Sequence, residues 1–175
     1  MHPRAAEFVD RARDRHGVDL EVSEFEAGTE TAAAAADAVG CETGAIASTI
    51  VVSLSGEDGG DDGERRASDG RTTREDLVAA VTSGANRLDL DAVADHFGAE
   101  TAAMGDPSRI REVVGWSIGG VPPIAHDAAL PTVFDPTLAE YDIVYGAAGT
   151  PSAVFAVDPE RLVELAGATV VDLTE

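Results

Sequence analysis

The chain has 175 residues, with 33 acidic and 12 basic side chains and a formal net charge of −21. Without a basic patch to release counterions, this charge argues against a protein that coats nucleic acid non-specifically. No apolar run approaches the roughly 20 residues that span a bilayer, and the single cysteine, Cys41, cannot form an internal disulfide, so we expect a cytoplasmic protein.

The first part of the chain is predicted to form helices and strands in alternation. Apolar periodicity and capping residues predict helices over residues 3–16 and 31–39, the second between Thr31 and Gly40. Alternating or continuous apolar residues predict strands over 18–25 and 46–54.

Residues 55–75 interrupt this pattern with glycine, charge and almost no apolar residue. They are longer than usual connections, and we expect a mobile acidic loop between two strands. A domain boundary is the competing interpretation. We reject it because neither side alone offers a complete core, so residues 1–175 are expected to form a single domain.

The second part of the chain continues the mixture of elements. Helices are predicted over 88–97, 106–114 and 158–166, and strands over 77–82, 100–104, 131–134, 143–147, 153–157 and 169–173. Because strict βαβ alternation is missing, the expected class is α+β, with a mixed, strongly twisted, partly barrel-like sheet flanked by helices.

The charge composition also indicates the salt concentration to which the protein is adapted. All 12 basic residues are arginine, and the chain contains no lysine. Repulsion among the acidic residues is largely screened in molar salt, where the Debye length is about 3 Å. The composition therefore favours adaptation to a salt-rich cytoplasm, and a simple acidic protein is the alternative.

Familiar catalytic signatures are missing from the sequence. There is no GxGxxG after a first strand, no Walker loop, and no HExxH, CxxC or GxSxG motif. The four histidines have no metal-ligand spacing, so we expect neither a metal nor another cofactor.

One loop has a composition that suits a binding site. Gly119 and Gly120 permit close approach, Val121 follows, and Pro122 and Pro123 make the exit rigid. Such a loop can direct backbone N–H groups into a pocket, as a carbonyl clamp requires. A tight turn between a helix and a strand is the alternative.

Several polar residues elsewhere are weaker candidates, each with a structural alternative. His126 is a candidate donor to a ribose or carbonyl, or a helix cap, and Asp135 either anchors a substrate amine or braces a turn. Asn86 and Arg87 either hold a phosphate or the loop itself, and pairing of Arg87 with a nearby acid is the simpler alternative. Trp116 either stacks on an adenine or is partly buried in the core.

The motifs, taken together and in order, resemble the YbaK/ProX family of aminoacyl-tRNA editing domains across nearly the whole chain. Residues 31–40 (TAAAAADAVG) are similar to the family helix T-x-x-E-A-A-x-A-L-G, and residues 44–52 (GAIASTIVV) to its strand G-Q-I-x-K-S-L-V-F. Residues 83–89 (SGANRLD) match its turn x-G-x-x-R-L-D.

The resemblance continues in the second half of the chain. Residues 119–123 fit the family's GxxxP loop, with Gly119 and Pro123 as its fixed ends. Residues 135–138 (DPTL) correspond to D-x-x-L, and residues 146–149 (GAAG) to the small-residue turn before a closing strand. The family's strand lysine aligns with Ser48, which keeps a donor and an acceptor but no charge.

The resemblance implies a freestanding trans-editing deacylase that hydrolyses amino acids wrongly attached to tRNA. Its partner would be the 3′ end of an aminoacyl-tRNA, with no membrane, metal or cofactor involved. The substrate's own ribose hydroxyl would aid the attacking water. The implied catalytic groups are the N–H groups of Gly119, Gly120 and Val121, with Ser48 orienting water or substrate. The implied substrate-binding residues are Pro123, His126, Asp135, Asn86, Arg87 and Gly149.

Loss of the family lysine leaves two alternatives open. The alternatives to an active deacylase without the lysine are a non-catalytic module that binds an aminoacyl or nucleotide end, and a hydrolase of a small ester or amide. The oligomeric state does not follow from the sequence.

Overall fold

The computed structural model describes residues 2–25, 31–55, 77–118, 120–128 and 130–175. Within these residues, five α-helices flank one mixed sheet of eight strands, which confirms the expected α+β architecture. The helices are α1 (Pro3–His16), α2 (Ala32–Val39), α3 (Leu90–Phe97), α4 (Pro107–Val114) and α5 (Pro159–Ala166). The strands are β1 (Glu21–Glu24), β2 (Ile46–Ser55), β3 (Leu77–Ser83), β4 (Thr101–Met104), β5 (Thr132–Phe134), β6 (Val144–Ala147), β7 (Ala153–Val157) and β8 (Thr169–Val170).

The strands lie in the order β1-β7-β6-β2-β3-β5-β8, and β4 pairs separately with β2. The β2–β3 pair is antiparallel, whereas β6 runs parallel to β2 and β5 runs parallel to β3. This mixture of directions matches the expected mixed sheet.

Strand β3 shows why the sheet needs helices on both faces. All seven of its residues are buried, so neither face is available to water. Leu77 and Val81 join the cluster that includes Phe8 of α1 and Leu162 of α5, whereas Val78 joins the cluster that includes Val93 of α3. The alternating side chains of one strand therefore serve two separate cores.

Strand β2 has a gap along one edge. The edge away from β3 pairs with β6 at residues 46–47 and with β4 at residues 52–55. Residues 48–51 have no strand partner on this side among the described residues, although the Gly105 N–H donates to the Val51 carbonyl at 2.9 Å. The sheet therefore has an unpaired edge of four residues in the middle of its longest strand.

Helix α2 begins and ends as its capping residues predict. The Thr31 hydroxyl accepts a hydrogen bond from the Ala34 N–H at 3.1 Å, and Gly40 ends the helix in the left-handed conformation with φ of 84°. Ala35 and Ala36 are buried against Ile46 and Val154, so the helix lies over the start of β2. This helix forms one wall beside the gap.

The last predicted strand is shorter than expected. Pairing stops at Val170, although the apolar sequence continues to Leu173. The side chain of Asp172 accepts hydrogen bonds from the Thr174 N–H at 3.0 Å and the Thr174 hydroxyl at 2.6 Å. The Val171 N–H still donates to the Phe134 carbonyl at 3.0 Å. After it, the chain turns away from β5, and the Leu173 carbonyl accepts from the Asp89 N–H at 2.8 Å.

The acidic loop expected at residues 55–75 lies outside the described residues from residue 56 onward. In the part of the chain that the structure describes, no helix is long and apolar enough to cross a membrane.

Candidate functional site

A cleft of about 180 Å³ opens at the gap in β2. It lies between the start of α2, the middle of β2, strand β6 and the segment that contains Val121. Its lining consists of Thr31, Ala32, Ala35, Ile46, Ala47, Ser48, Thr49, Ile50, Val121, Tyr145, Gly146, Ala147 and Val154.

Main-chain groups of β2 face this opening. The Ile46 carbonyl accepts from Gly84 on the β3 side, and the Val51 carbonyl accepts from Gly105 on the opposite side. Since these directions alternate along an antiparallel strand, the Thr49 N–H and carbonyl point away from β3, as those of Val51 do. The Thr49 peptide groups are therefore directed to the stretch of edge that lacks a partner strand.

The GxxxP loop supplies one further free amide. The Val121 N–H has no hydrogen-bond acceptor among the described residues, and Val121 is only 5% exposed. The Gly120 N–H, in contrast, donates to the Ser117 carbonyl at 2.9 Å, so this amide is already used within the loop. Gly119 lies outside the described residues. Of the two clamp amides that the structure describes, the Val121 N–H is the one left free for a ligand.

Gly120 lets two loop backbones pack against each other, as expected for a glycine that permits close approach. A Cβ atom built on it would lie 2.8 Å from both the backbone nitrogen and the Cα of Thr150. The Gly149 N–H also donates to the Gly120 carbonyl at 3.1 Å. Two loop backbones therefore contact each other directly, which fixes the peptide immediately before Val121.

Ser48 lines the cleft, on the opposite sheet face from Thr49. It is half-buried, and its hydroxyl has no hydrogen-bond partner among the described residues. The Thr49 hydroxyl oxygen is fully buried and also lacks such a partner. Both side chains reach the same cleft because the missing neighbour strand exposes the edge of the sheet. Nothing in the sequence pointed to Thr49, since a β-branched residue in an apolar run suggests core packing.

Pro123 and His126 lie on the other side of the loop. They line a separate cavity of about 320 Å³ near the end of α1. The His126 Nε2–H donates to the Pro122 carbonyl at 2.6 Å, and burial lowers the pKa of this imidazole. His126 therefore holds the loop from behind and does not reach the cleft that contains Ser48.

Helix α1 also holds this loop. Arg11 donates to the Ala125 carbonyl at 3.3 Å and pairs with Asp127 at 2.6 Å, and Arg15 donates to the His126 carbonyl. Ala125 has a φ of 66°, which is uncommon for a residue with a side chain. Arg11 and Arg15 therefore hold the loop at its strained residue and at the residue after it. Nothing in the local sequence predicted these contacts between α1 and the loop.

Trp116 completes the same support. It is fully buried, and its indole N–H donates to the Ala125 carbonyl at 2.9 Å. Guanidinium groups of Arg4 and Arg11 lie 4.2 Å and 5.0 Å from its ring centroid. Because the indole ring is buried and already contacts these two guanidinium groups, it cannot stack on a nucleotide.

Asp135 and Asn86 form a buried network away from the cleft. Asp135 accepts hydrogen bonds from the Ser83 N–H at 3.0 Å, the Asn86 amide at 3.0 Å and the Thr137 N–H at 2.9 Å. These bonds use both carboxylate oxygens, so Asp135 braces the end of β3. Arg87 is exposed and forms no ion pair with the described residues.

Gly149 contacts the loop next to Val121 but does not line the cleft. It has a φ of 93°, and a Cβ there would lie 2.7 Å from the Trp116 ring. The structure therefore brings Ser48 and Val121 into one cleft, whereas the other described candidates do not line it: Pro123, His126, Asp135, Asn86, Arg87 and Gly149.

The chemistry of the cleft is that of hydroxyls and main-chain amides. Among its described lining residues, none carries a carboxylate, imidazole, thiol or amine. No group of three His, Cys, Asp or Glu side chains among the described residues is placed to hold a metal ion. Such a cleft can bind an uncharged carbonyl or hydroxyl group, and a polarised carbonyl would gain most from the free Val121 N–H.

Comparisons with known proteins identify similar sequences and folds. A family model described as an aminoacyl-tRNA editing domain matches residues 26–165. A solved structure of a proposed trans-editing enzyme for prolyl tRNA synthetase is 35% identical, with a TM-score of 0.83 over 100% of this chain and 99% of that one.

Two further solved structures show the same similarity. A scaffold protein used in computational grafting of epitope backbones is 32% identical, with a TM-score of 0.83 over 100% of this chain and 99% of the other. A hypothetical protein is 25% identical, with a TM-score of 0.75 over 96% of this chain and 99% of the other.

Proposed function

The chain belongs to the aminoacyl-tRNA editing domain family, and from this premise we propose that it is a trans-editing deacylase that hydrolyses the ester of mischarged tRNA. Its substrate class is aminoacyl-tRNA, as the family description implies. We further propose that residues 1–175 act as one editing unit in the cytoplasm.

The observation that carries this proposal is the free Val121 N–H beside the open edge of β2. An aminoacyl ester needs a donor at the oxygen that becomes negative during hydrolysis. The cleft offers this donor together with unpaired hydroxyls on Ser48 and Thr49. It offers no charged nucleophile or base, which suits a reaction in which the substrate supplies its own hydroxyl.

The reaction can be written with these groups. The ester carbonyl accepts a hydrogen bond from the Val121 N–H, and a water molecule attacks the carbonyl carbon with the free ribose hydroxyl as its hydrogen-bond partner. The carbonyl oxygen becomes an oxyanion that the N–H stabilises. The bond between the carbonyl carbon and the ribose oxygen then breaks, and that oxygen takes up a proton. The products are free amino acid and tRNA.

Ser48 stands where the family resemblance expects a lysine. A serine cannot supply a point charge to a phosphate, but it can orient water or the amino group of the substrate. Because repulsion by the net charge of −21 is screened at high salt, we propose that a lysine-free site works in a salt-rich cytoplasm.

The test is deacylation of a set of mischarged tRNAs by the purified protein in molar salt. Val121→Pro removes the N–H and is expected to lower kcat by at least about a hundredfold, as loss of one oxyanion donor does. Val121→Ala keeps the N–H and is the matched control, with an expected loss of less than about tenfold. Circular dichroism and thermal unfolding show whether each variant folds.

Two outcomes would contradict the proposal. Equal activity of folded Val121→Pro and wild type would remove the amide from the mechanism. Binding of mischarged tRNA without release of any amino acid would favour the non-catalytic module instead.

A further inference from the structure

A second, apolar cavity adjoins the cleft on the far side of Val121. It has a volume of about 130 Å³ and lies between β2, the end of β4 and helix α4. We call it the apolar slot, and its lining is Thr49, Ile50, Val51, Met104, Gly105, Ile110, Ile118 and Val121. Thr49, Ile50 and Val121 also line the cleft, so the two cavities share a boundary.

Two large apolar side chains at the slot are exposed without a covering partner among the described residues. Met104 is 63% exposed and Ile118 is 54% exposed, although most residues of this size in the protein are buried. Exposed apolar residues that rim a cavity are typical of a surface that a ligand covers.

The junction between the two cavities also contains an unsatisfied polar atom. The Thr49 hydroxyl oxygen is buried and has no partner among the described residues. Buried hydroxyls are nearly always hydrogen-bonded, so this one suits a polar group of a ligand that crosses from one cavity to the other.

From these observations we propose that the apolar slot binds the adenine ring of the tRNA's terminal adenosine, with its ribose at Thr49. The inference rests on the proposed function, because the ester that enters the cleft is carried on that ribose. The base must then lie one sugar away from the ester. A flat, apolar-faced ring suits a slot of branched and thioether side chains.

The charges around the cleft favour this slot over the other adjoining cavity. That cavity, of about 360 Å³, shares Tyr145 and Val154 with the cleft and is lined by Glu21. The slot has no charged lining residue, and the neighbouring helix α4 carries the exposed Arg111 and the exposed Glu112, whose charges offset each other. A nucleotide phosphate is therefore repelled less on the slot side.

Methyl NMR can test the slot without relying on catalysis, since the chain has only two methionines, Met1 and Met104. With ¹³C-methyl methionine in molar salt, AMP is expected to shift the Met104 signal upfield through the ring current and to leave Met1 unchanged. Ribose 5-phosphate is expected to shift neither. An equal response to ribose 5-phosphate, or no Met104 shift at AMP concentrations that inhibit deacylation, overturns the proposal.

A kinetic test separates this proposal from the proposed function. Ile118→Ser and Met104→Ser are expected to raise KM for mischarged tRNA by at least about fivefold each, with little change in kcat, as loss of a base-stacking contact does. Ile143→Ser is the control, because Ile143 is also exposed, at 42%, but lies outside both cavities. If wild type deacylates and the slot variants match this control, the slot assignment is wrong and the deacylase proposal stands. If wild type deacylates no substrate, the proposed function fails first.

Discussion

Gly120 is a residue at which the loop backbone contacts the backbone of another segment directly. A Cβ there would meet the backbone of Thr150 at 2.8 Å, and a backbone cannot move aside as a flexible side chain can. Glycine is therefore required here because a side chain has no room. Backbone conformation is not the reason, since Gly120 is not among the described glycines with positive φ.

We expect Gly120→Ala to lower the free energy of unfolding by about 1–3 kcal/mol through overpacking, and to reduce deacylation by displacing Val121. Gly17→Ala is a matched control. Gly17 has a φ of 67° and open space around its Cα, so alanine there costs roughly 1–2 kcal/mol from conformation alone. Similar losses of stability with a loss of activity only in Gly120→Ala would support this view. Equal activities would contradict it.

His126 links loop support to pH. Burial lowers the pKa of its imidazole below the ordinary value of 6.5. Below about pH 6.5 the unfolded chain takes up a proton that the folded state does not, so this residue makes the protein less stable as pH falls. Below the folded-state pKa the loss no longer grows.

The measurement is chemical denaturation at pH 7 and pH 5 in wild type and His126→Gln. Glutamine offers an amide donor for the Pro122 carbonyl but does not titrate, so the variant is expected to lose less stability over this range. His16→Gln is a useful comparison, because burial also lowers the pKa of His16 but its ring makes no bond to the loop. Identical pH dependence of wild type and His126→Gln would show that His126 is not responsible.

Helix α1 holds the loop through side chains of its arginines. It lies outside the residues that the family model matches, yet its arginines contact Asp127 and two loop carbonyls. The helix therefore belongs to the support of the site, although it contributes no lining residue to the cleft.

We expect Arg11→Gln to destabilise the protein by about 1–3 kcal/mol, since it removes charge-assisted hydrogen bonds at a partly buried position. Arg13→Gln is the control on the same helix. Its ion pair with Asp19 is exposed, and such pairs contribute less than about 1 kcal/mol. Urea denaturation gives both values, and deacylation kinetics show whether the loop has moved. A larger effect for Arg13→Gln would contradict the assignment.

The whole molecule carries a net charge of −21, which acts on stability as well as on substrate binding. Mutual repulsion favours the unfolded chain in dilute buffer, and salt weakens this repulsion. We expect the midpoint of thermal unfolding to rise by more than about 5 °C between low salt and molar KCl, which is roughly 1–2 kcal/mol for a chain of this length.

Scanning calorimetry over a series of KCl and NaCl concentrations checks this expectation. Similar curves for the two salts would indicate screening, whereas a rise with only one would indicate a specific ion. A midpoint that falls or stays constant as salt increases would contradict adaptation to high salt.

The sequence determined most of the elements and several of their ends, whereas the strands predicted over 18–25 and 169–173 form only over Glu21–Glu24 and Thr169–Val170. Thr31 and Gly40 delimit α2, and the apolar run from Ile46 predicts β2, because hydrogen-bonding caps and side-chain periodicity act over a few residues. The motif order also identified the family, since it depends on sequence alone.

Only the tertiary structure decided which groups meet at the cleft. Ser48 and Thr49 lie on opposite faces of one strand, and they share a cleft because β4 and β6 leave part of the β2 edge unpaired. The use of the Gly120 amide by Ser117, and the position of His126 behind the loop, likewise depend on contacts between segments. Strand pairing and loop contacts join residues that are distant in sequence, so no local pattern contains them.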